Sequence, residues 1–211
     1  RSDDIAFRVT FQGETPPPEA RYFRGPVLWL TDGVTWSTAE VPGAPPAAGR
    51  AEGSRILQEV TMEANGEPWL MALDVPVTAP PEAVLTPDGQ VRRRHPLRER
   101  TSYRIESVAG PAPIGDLWLS QRAPALQLPE RTSPRMRRLA DSWRAGGAAP
   151  AEIVERALAH FNTQPFVYTL QPGALGDDPL DEFLFETRRG FCEHYAAAFT
   201  LLMRLAGVPA R

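Results

Sequence analysis

The chain has 211 residues, of which 42% are hydrophobic and 23% are charged, and its formal net charge is −3 at pH 7. These proportions are ordinary for a soluble globular protein and exclude a disordered chain, while the acidic balance gives no reason to expect a nucleic-acid partner. The longest nearly unbroken apolar run, Ala196 to Met203, is far shorter than the roughly 20 residues that span a bilayer.

The only cysteine in the sequence is Cys192, which excludes an intramolecular disulfide and a zinc site built from several cysteines. No phosphate-binding loop or metal-ligand spacing stands out, so we expect neither a cofactor nor a metal. All 23 basic residues are arginines, and lysine is absent.

Short alternating segments cut by proline and glycine run from Arg1 to about Ala125 and predict β structure. Five segments have this character: Ile5–Phe11, Tyr22–Leu30, Ile56–Met62, Trp69–Val75 and Ser102–Val108. Asn65-Gly66 predicts a hairpin that joins the segments Ile56–Met62 and Trp69–Val75. Asp32-Gly33 and Pro87-Asp88-Gly89 predict further turns. This half is expected to form an antiparallel β-sandwich or a barrel-like region.

Helical signals dominate from Thr132 onward. Ser133 is a predicted N-cap, and proline at the next position suits the first residue of a helix. The predicted elements are a helix from Pro134 ending at Gly146-Gly147, a helix from Pro150 to about Phe161, a short strand at Phe166–Leu170, a turn at Asp181–Phe185 and a helix from Cys192 to about Ala206.

The last helix is apolar on almost all sides, which predicts a position at the centre of its domain. Cys192 lies at its N-terminal end, where free N–H groups and the helix dipole favour a thiolate. The same N–H groups are able to hold the oxyanion of a tetrahedral intermediate. The alternative is that Cys192 is a small buried hydrophobic residue.

The run from Thr187 to Ala196 (TRRGFCEHYA), with Leu201 to Arg211 (LLMRLAGVPAR), resembles the cysteine motif of the transglutaminase-like superfamily. More narrowly, it resembles bacterial membrane-anchored transglutaminase-like proteins of the TgpA type. Other segments are similar to further parts of the same proteins: Phe166–Leu170, Asp181–Phe185, Tyr22–Leu28 and Asp32–Trp36.

The resemblance implies an α+β fold, with a β-rich extracytoplasmic domain over residues 1–125. Residues 126–211 would be the N-terminal helical part of a transglutaminase-like (papain-like) core. Cys192 would be the nucleophile of a protein-glutamine gamma-glutamyltransferase, forming a thioester that passes to an amine or to water. Its partners would be a protein or peptide glutamine donor and an amine acceptor. The implied location is the periplasmic side of a bacterial inner membrane, with membrane helices outside this chain.

The superfamily completes its site with a histidine and an aspartate on strands downstream of the cysteine helix. These residues are expected beyond Arg211, so we predict a truncated chain that is inactive alone and exposes an apolar helix face, with dimerisation as one consequence. His194 lies about 200° around the helix from Cys192, which favours a structural or pocket role. Tyr168 could line the acyl pocket or donate a second oxyanion hydrogen bond, or it is a strand tyrosine with a packed ring.

Two other functions stay open at this point. One is a cysteine amidase or peptidase of the same superfamily, since the motif does not separate these reactions. The other is a non-catalytic module that binds a peptide or glycan through the β half, with an inert thiol at Cys192.

Overall fold

The computed structural model describes residues 5–43, 54–108 and 119–211. In these ranges the strands are β1 Phe7–Gln12, β2 Phe23–Arg24, β3 Leu30–Thr31, β4 Trp36–Ser37, β5 Arg55–Met62, β6 Trp69–Leu70, β7 Ala72–Leu73, β8 Ala83–Leu85, β9 Val91–Arg93, β10 Thr101–Val108, β11 Val167–Tyr168 and β12 Arg189–Gly190. The α-helices are α1 Leu119–Ala125, α2 Pro134–Arg144, α3 Pro150–Thr163, α4 Pro179–Glu182 and α5 Cys192–Leu205. Sheets in the N-terminal part and helices in the C-terminal part confirm the predicted α+β class.

The chain forms two compact units. The first combines Arg1–Val27 with Glu40–Trp118, and the second combines Leu28–Ala39 with Leu119–Arg211. The short hairpin of β3 and β4 therefore belongs with the helices, although it lies in the first fifth of the sequence. The division at residues 125 and 126 stays a prediction about independent domains. None of the helices in the described ranges is both long and apolar enough to span a bilayer.

The first unit is built on β5, which pairs antiparallel with β1 on one side and with β10 on the other. Alternate residues of β5 are buried, as the period of two predicts, and Val60 and Met62 lie in the core. The same core takes residues from β6 and β9, so a second three-stranded sheet, ordered β6-β9-β8, shares it. The Tyr103 hydroxyl donates to the Met71 carbonyl at 2.6 Å, which satisfies a buried polar group.

The hairpin predicted at Asn65-Gly66 is wrong. Both edges of β5 are already occupied by β1 and β10, so β5 cannot pair with the strand that follows it, and β6 pairs with β9 instead. Asn65-Gly66 still makes a tight turn, because Gly66 has a φ of +75° and both backbone N–H groups donate to the Leu97 carbonyl. The predicted strand at Tyr22–Leu30 is also too long, since only β2 and the first residue of β3 fall within it.

The second unit packs α2, α3 and α5 around one core. Ser133 caps α2 as predicted, accepting from the backbone N–H groups of Arg135 and Met136 at 3.1 and 3.4 Å. The core residues include Met136, Ala140, Trp143, Ile153, Ala157, Phe183, Leu201 and Leu202. α5 adds Ala198 and Met203 to this core, while Ala196 is exposed and Phe199 only half-buried, so one side of the helix is open. Apolar composition alone did not distinguish the covered face of the helix from its open face.

Candidate active site

Cys192 is the first residue of α5, and its side chain is exposed. The residue before it, Phe191, has extended backbone (φ −123°, ψ −174°) and serves as the N-cap. Exposure excludes the alternative that Cys192 is a buried hydrophobic residue. A nucleophile has to be reachable by its substrate, and this thiol meets that condition.

Two backbone amides in the first turn of α5 are available to an incoming ligand. The N–H groups of His194 and Tyr195 both donate to the Phe191 carbonyl, but those of Cys192 and Glu193 have no hydrogen-bond acceptor among the described residues. Free backbone N–H groups are the kind of donor from which an oxyanion hole is built.

A short parallel ladder leads the chain into α5. In this ladder Tyr168 of β11 lies opposite Gly190 of β12, two residues before Cys192. The Val167 N–H donates to the Arg188 carbonyl and the Thr169 N–H to the Gly190 carbonyl, both at 2.8 Å. The register therefore brings Tyr168 close to the start of the cysteine helix, although the two lie 24 positions apart in the sequence.

The Tyr168 side chain is 62% exposed, and its ring stacks on that of Tyr195 at a centroid distance of 6.1 Å and an interplanar angle of 27°. Tyr195 follows Cys192 by three positions, which places it on the same side of the helix. Burial raises the pKa of Tyr195 above its ordinary value. The ring of Tyr168 is thus not enclosed in a sheet core, and it lies against Tyr195 in the first turn of the cysteine helix.

The His194 ring turns back toward the start of its own helix. Its Nδ1 accepts from the Phe191 N–H at 3.4 Å, as the third residue of a capped helix often does. The ring also lies edge-on to Phe191 and against Phe183, at centroid distances of 4.3 and 5.6 Å. These contacts pack the ring against Phe191 and Phe183 and engage its Nδ1 with the N-cap amide.

Gly190 is buried and leaves no room for a side chain. A Cβ atom at this position would lie 2.7 Å from Cε2 of Phe183 and 2.9 Å from Cβ of His194. The residue therefore allows two rings to approach the backbone immediately before Cys192.

A carboxylate that the sequence did not single out supports the segment before the site. Asp181 is buried and accepts from the Ser133 hydroxyl and from the Arg135 guanidinium, whose Nε lies 3.2 Å away. Burial opposes its ionisation, but the hydrogen bonds from Arg135 and Ser133, with the charge of Arg135, hold the pKa of Asp181 below its ordinary value. In the sequence, only the Ser133 cap and the neighbouring Arg135 hinted at such a carboxylate. No local pattern shows that their partner is Asp181, because it lies far along the chain.

His160 is the other histidine near this region, and it lies among aromatic rings. Its centroid is 5.7 Å from that of Trp143 and 5.8 Å from that of Phe166, and its buried Nε2 has no hydrogen-bond partner in the described ranges. Burial, and secondarily the charge of Arg188, lower its pKa. Among the residues that the structure describes, no group of three or more histidine, cysteine, aspartate or glutamate side chains is placed to hold a metal ion.

Two protein-family models match the sequence. The TgpA N-terminal domain matches residues 1–113, and the transglutaminase-like superfamily matches residues 137–211, including Cys192 and the whole of α5. The chain belongs to the TgpA family. It carries a transglutaminase-like domain after its TgpA N-terminal domain, which confirms the resemblance found in the sequence.

Known relatives agree with this assignment. The chain is 40% identical over 212 residues to the protein-glutamine gamma-glutamyltransferase of Pseudomonas aeruginosa, an alignment that covers the whole chain and 32% of that protein. It is 30% identical over 89 residues to the uncharacterized protein YebA of Bacillus subtilis, which covers 41% of the chain and 12% of that protein. The chain thus spans about a third of the length of the first of these relatives.

Two crystal structures resemble the whole fold. Both are of the periplasmic domain of TgpA from Pseudomonas aeruginosa, one of them bound to ethylmercury. The TM-scores are 0.89 for the ethylmercury form and 0.86 for the other, each at 38% identity. The match covers 99% of this chain and 74% and 73% of the two solved chains.

Proposed function

We propose that this chain supplies the nucleophile of a bacterial cysteine acyltransferase, and that Cys192 is that nucleophile. The observation that carries the proposal is the exposed thiol at the first position of a 14-residue helix, beside two amides without acceptors in the described part of the chain. The transglutaminase-like match over residues 137–211 and the name of the Pseudomonas relative support the reaction class.

In the proposed reaction the Cys192 thiolate attacks the carboxamide carbon of a glutamine side chain. The carbonyl oxygen becomes an oxyanion that accepts from the N–H groups of Cys192 and Glu193. Ammonia leaves with a proton from the general acid, and a thioester remains. An amine or a water molecule then attacks the thioester and releases the thiolate, giving an isopeptide bond or a glutamate.

The general base is proposed to be a histidine, oriented by an aspartate, in a segment C-terminal to Arg211. Two observations on the histidines of this unit favour that arrangement. His194 uses its Nδ1 on the N-cap amide, and His160 is enclosed by Trp143 and Phe166. Tyr168 is proposed to contact the acyl donor, because its exposed ring is held near the thiol by β11.

The proposed substrates are a glutamine-bearing protein or peptide and an amine. The chain contains no lysine, so within it the usual ε-amine acceptor is missing, and we expect the acceptor to come from another molecule. The proposed location is the periplasmic face of a bacterial inner membrane, because the Pseudomonas structures that it resembles are of a periplasmic domain.

The function is tested on a longer protein that extends past Arg211 and includes the proposed histidine and aspartate. We expect it to incorporate a fluorescent amine into a glutamine peptide and to release ammonia, and Cys192→Ala to abolish both. Ammonia release without amine incorporation would identify the amidase reaction instead. A long protein with neither activity, and with a thiol that alkylates no faster than free cysteine, would contradict the proposal and favour a binding module.

A second test uses the metal reagent bound by the Pseudomonas protein. Alkylmercury compounds bond to thiols, and Cys192 is the only thiol in this sequence. We expect one ethylmercury per chain in the mass spectrum and none in Cys192→Ser.

Association of two copies through the open face of α5 is a further proposal. Ala196 is exposed and Phe199 is half-buried on that face. Light scattering on this chain tests it, since a monodisperse monomer that binds no hydrophobic dye would contradict it.

A further inference from the structure

A buried arginine occupies the last turn of α5, far from the thiol. Arg204 is 2% exposed, and none of the ion pairs found among the described residues includes it. Its Nε donates to the Ala210 carbonyl at 2.8 Å, and one terminal nitrogen donates to the Gln127 carbonyl at 2.9 Å. The guanidinium carbon lies 4.9 Å from the ring centroid of Trp36. Burial lowers the pKa of Arg204 to about 10, so it stays protonated at neutral pH.

Gln127 connects this arginine to the hairpin of β3 and β4. Its side-chain oxygen accepts from the Thr31 N–H and its side-chain nitrogen donates to the Thr31 carbonyl, both at 2.9 Å. The amide thus pairs with Thr31 as a neighbouring strand would. The same oxygen lies 3.4 Å from the terminal nitrogen of Arg204, which closes a chain of contacts from the hairpin to the helix.

The chain that leaves α5 is fixed from two sides at Ala210. Its carbonyl accepts from Arg204, and its N–H donates to the Ala125 carbonyl at 2.9 Å. Gly207, with a φ of +79°, ends the helix just before this point. The direction in which the backbone passes Ala210 is therefore set by Arg204 and by the segment from Ala125 to Gln127.

We propose that Arg204 and Gln127 are positioning residues for acyl transfer. They fix the exit from the cysteine helix, and so they place the following segment, with its base, against Cys192. Arg204 is twelve positions from Cys192, about 18 Å along the helix, so it acts through the backbone it holds and not by contact with the thiol. This inference rests on the proposed function, because it needs the base to follow Arg211.

The experiment compares three variants of the longer protein with one control. Arg204→Met keeps the side-chain volume and removes all donors, Arg204→Lys keeps the charge but not the planar fork, and Gln127→Ala removes the link to Thr31. The matched control is Gln121→Ala, because Gln121 is a buried glutamine six positions away whose side-chain nitrogen has no partner in the described ranges. All measurements are made well below the unfolding midpoint of each variant.

Three quantities are measured: kcat, KM for the glutamine peptide, and the pH midpoint of Cys192 alkylation. Displacing the proposed histidine base from Cys192 should lower kcat, since a shift of about 1 Å at a reacting group lowers rates roughly 100-fold. We expect Gln127→Ala and Arg204→Met to lower kcat by about that factor, with KM within about twofold of the parent. We expect the alkylation midpoint to rise by about one pH unit, because the thiolate loses its histidine partner. Arg204→Lys should fall between the parent and Arg204→Met, and Gln121→Ala should match the parent.

The alkylation midpoint separates positioning from mere stability, because a loss of stability alone leaves the midpoint of the folded protein unchanged. An active parent whose variants keep its midpoint and kcat overturns the inference and leaves the proposed function standing. A parent with no turnover and an unshifted thiol overturns both. If Arg204→Met does not fold, Gln127→Ala decides between these outcomes.

Discussion

Gly190 sets how closely two rings can approach the start of the cysteine helix. A Cβ at this position would lie 2.7 Å from the Phe183 ring and 2.9 Å from Cβ of His194. Both neighbours are held by packing, so Gly190→Ala should lower the free energy of unfolding by about 1–3 kcal/mol. Chemical denaturation measures this, and the variant should also slow alkylation of Cys192 by disturbing the turn before it.

Gly25→Ala is the matched control for that change. Its new Cβ would meet only the end of the Met71 side chain, at 3.1 Å, and a flexible methionine can yield. An equal loss in both variants would contradict the steric account of Gly190.

His160 gives the helical unit a sensitivity to acid. Burial, and secondarily the charge of Arg188, lower its pKa below the ordinary value of 6.5. The unfolded chain then binds the proton more readily than the folded one, so this contribution to stability is complete above about pH 6.5 and is lost as the pH falls below it. We expect His160→Phe to reduce the difference in unfolding free energy between pH 7.5 and pH 5.

His95→Phe serves as the control for that pH series, because His95 is exposed. Asp181 titrates in a separate window: its lowered pKa makes its contribution complete above its ordinary value of 3.8 and lost only below that. If the unfolding free energy of His160→Phe fell between pH 7.5 and pH 5 as much as that of the unmodified protein, His160 would not be the cause of the acid sensitivity.

At the scale of elements, Ser133 couples the start of α2 to α4. Its hydroxyl oxygen accepts two backbone N–H groups of α2 and the hydroxyl donates to buried Asp181. Ser133→Ala removes the cap and leaves a buried carboxylate with one partner fewer, which should cost about 2 kcal/mol. Thermal or denaturant unfolding measures this loss.

Ser142→Ala is the control on the same helix, because that exposed hydroxyl only donates to the Leu139 carbonyl within its own turn. We expect its unfolding free energy to stay within about 0.5 kcal/mol of the parent. A similar loss in Ser133→Ala and Ser142→Ala would show that the cap and the Asp181 bond contribute nothing specific.

The elements that the sequence predicts well are those whose signals are local. The helices α2 and α3 start at Pro134 and Pro150, and α5 ends before Gly207, where proline and glycine restrict the backbone at the boundary itself. The long strands β5 and β10 were also predictable, because their alternation follows from one buried face.

What it misses are pairings with partners far along the chain. β11 lies within the predicted strand Phe166–Leu170, but its pairing with β12 involves two residues each, too few for any period. Asn65-Gly66 does form a turn, but β5 does not pair with the strand that follows the turn, because β1 and β10 pair with both of its edges. The motif singled out Cys192 as a candidate. It did not point to Asp181, whose contact with Arg135 spans 46 positions, or to Arg204 at the far end of α5, whose contact with Gln127 spans 77 positions.

At the scale of the whole molecule, sequence family and compact unit divide the chain differently. The TgpA N-terminal domain model includes residues 1–113, yet Leu28–Ala39 within it belongs to the unit that carries Cys192. The reason lies in specific contacts: Thr31 pairs with Gln127, Trp36 lies under Arg204, and the Trp29 ring is 5.0 Å from the Arg211 guanidinium carbon. The cysteine helix is therefore supported by residues from both family domains.

This arrangement predicts which unit is destabilised when Trp29 is replaced. Trp29 is fully buried, and Trp29→Ala should cost about 3–5 kcal/mol through lost burial and a cavity. Because Trp29 packs within the helical unit, hydrogen exchange should accelerate on the order of 100-fold or more in α2 and α5, and much less in β5 and β10. Val60→Ala, in the core of the first unit, should show the opposite distribution. Acceleration confined to β5 and β10 in Trp29→Ala would contradict the assignment of the hairpin to the helices.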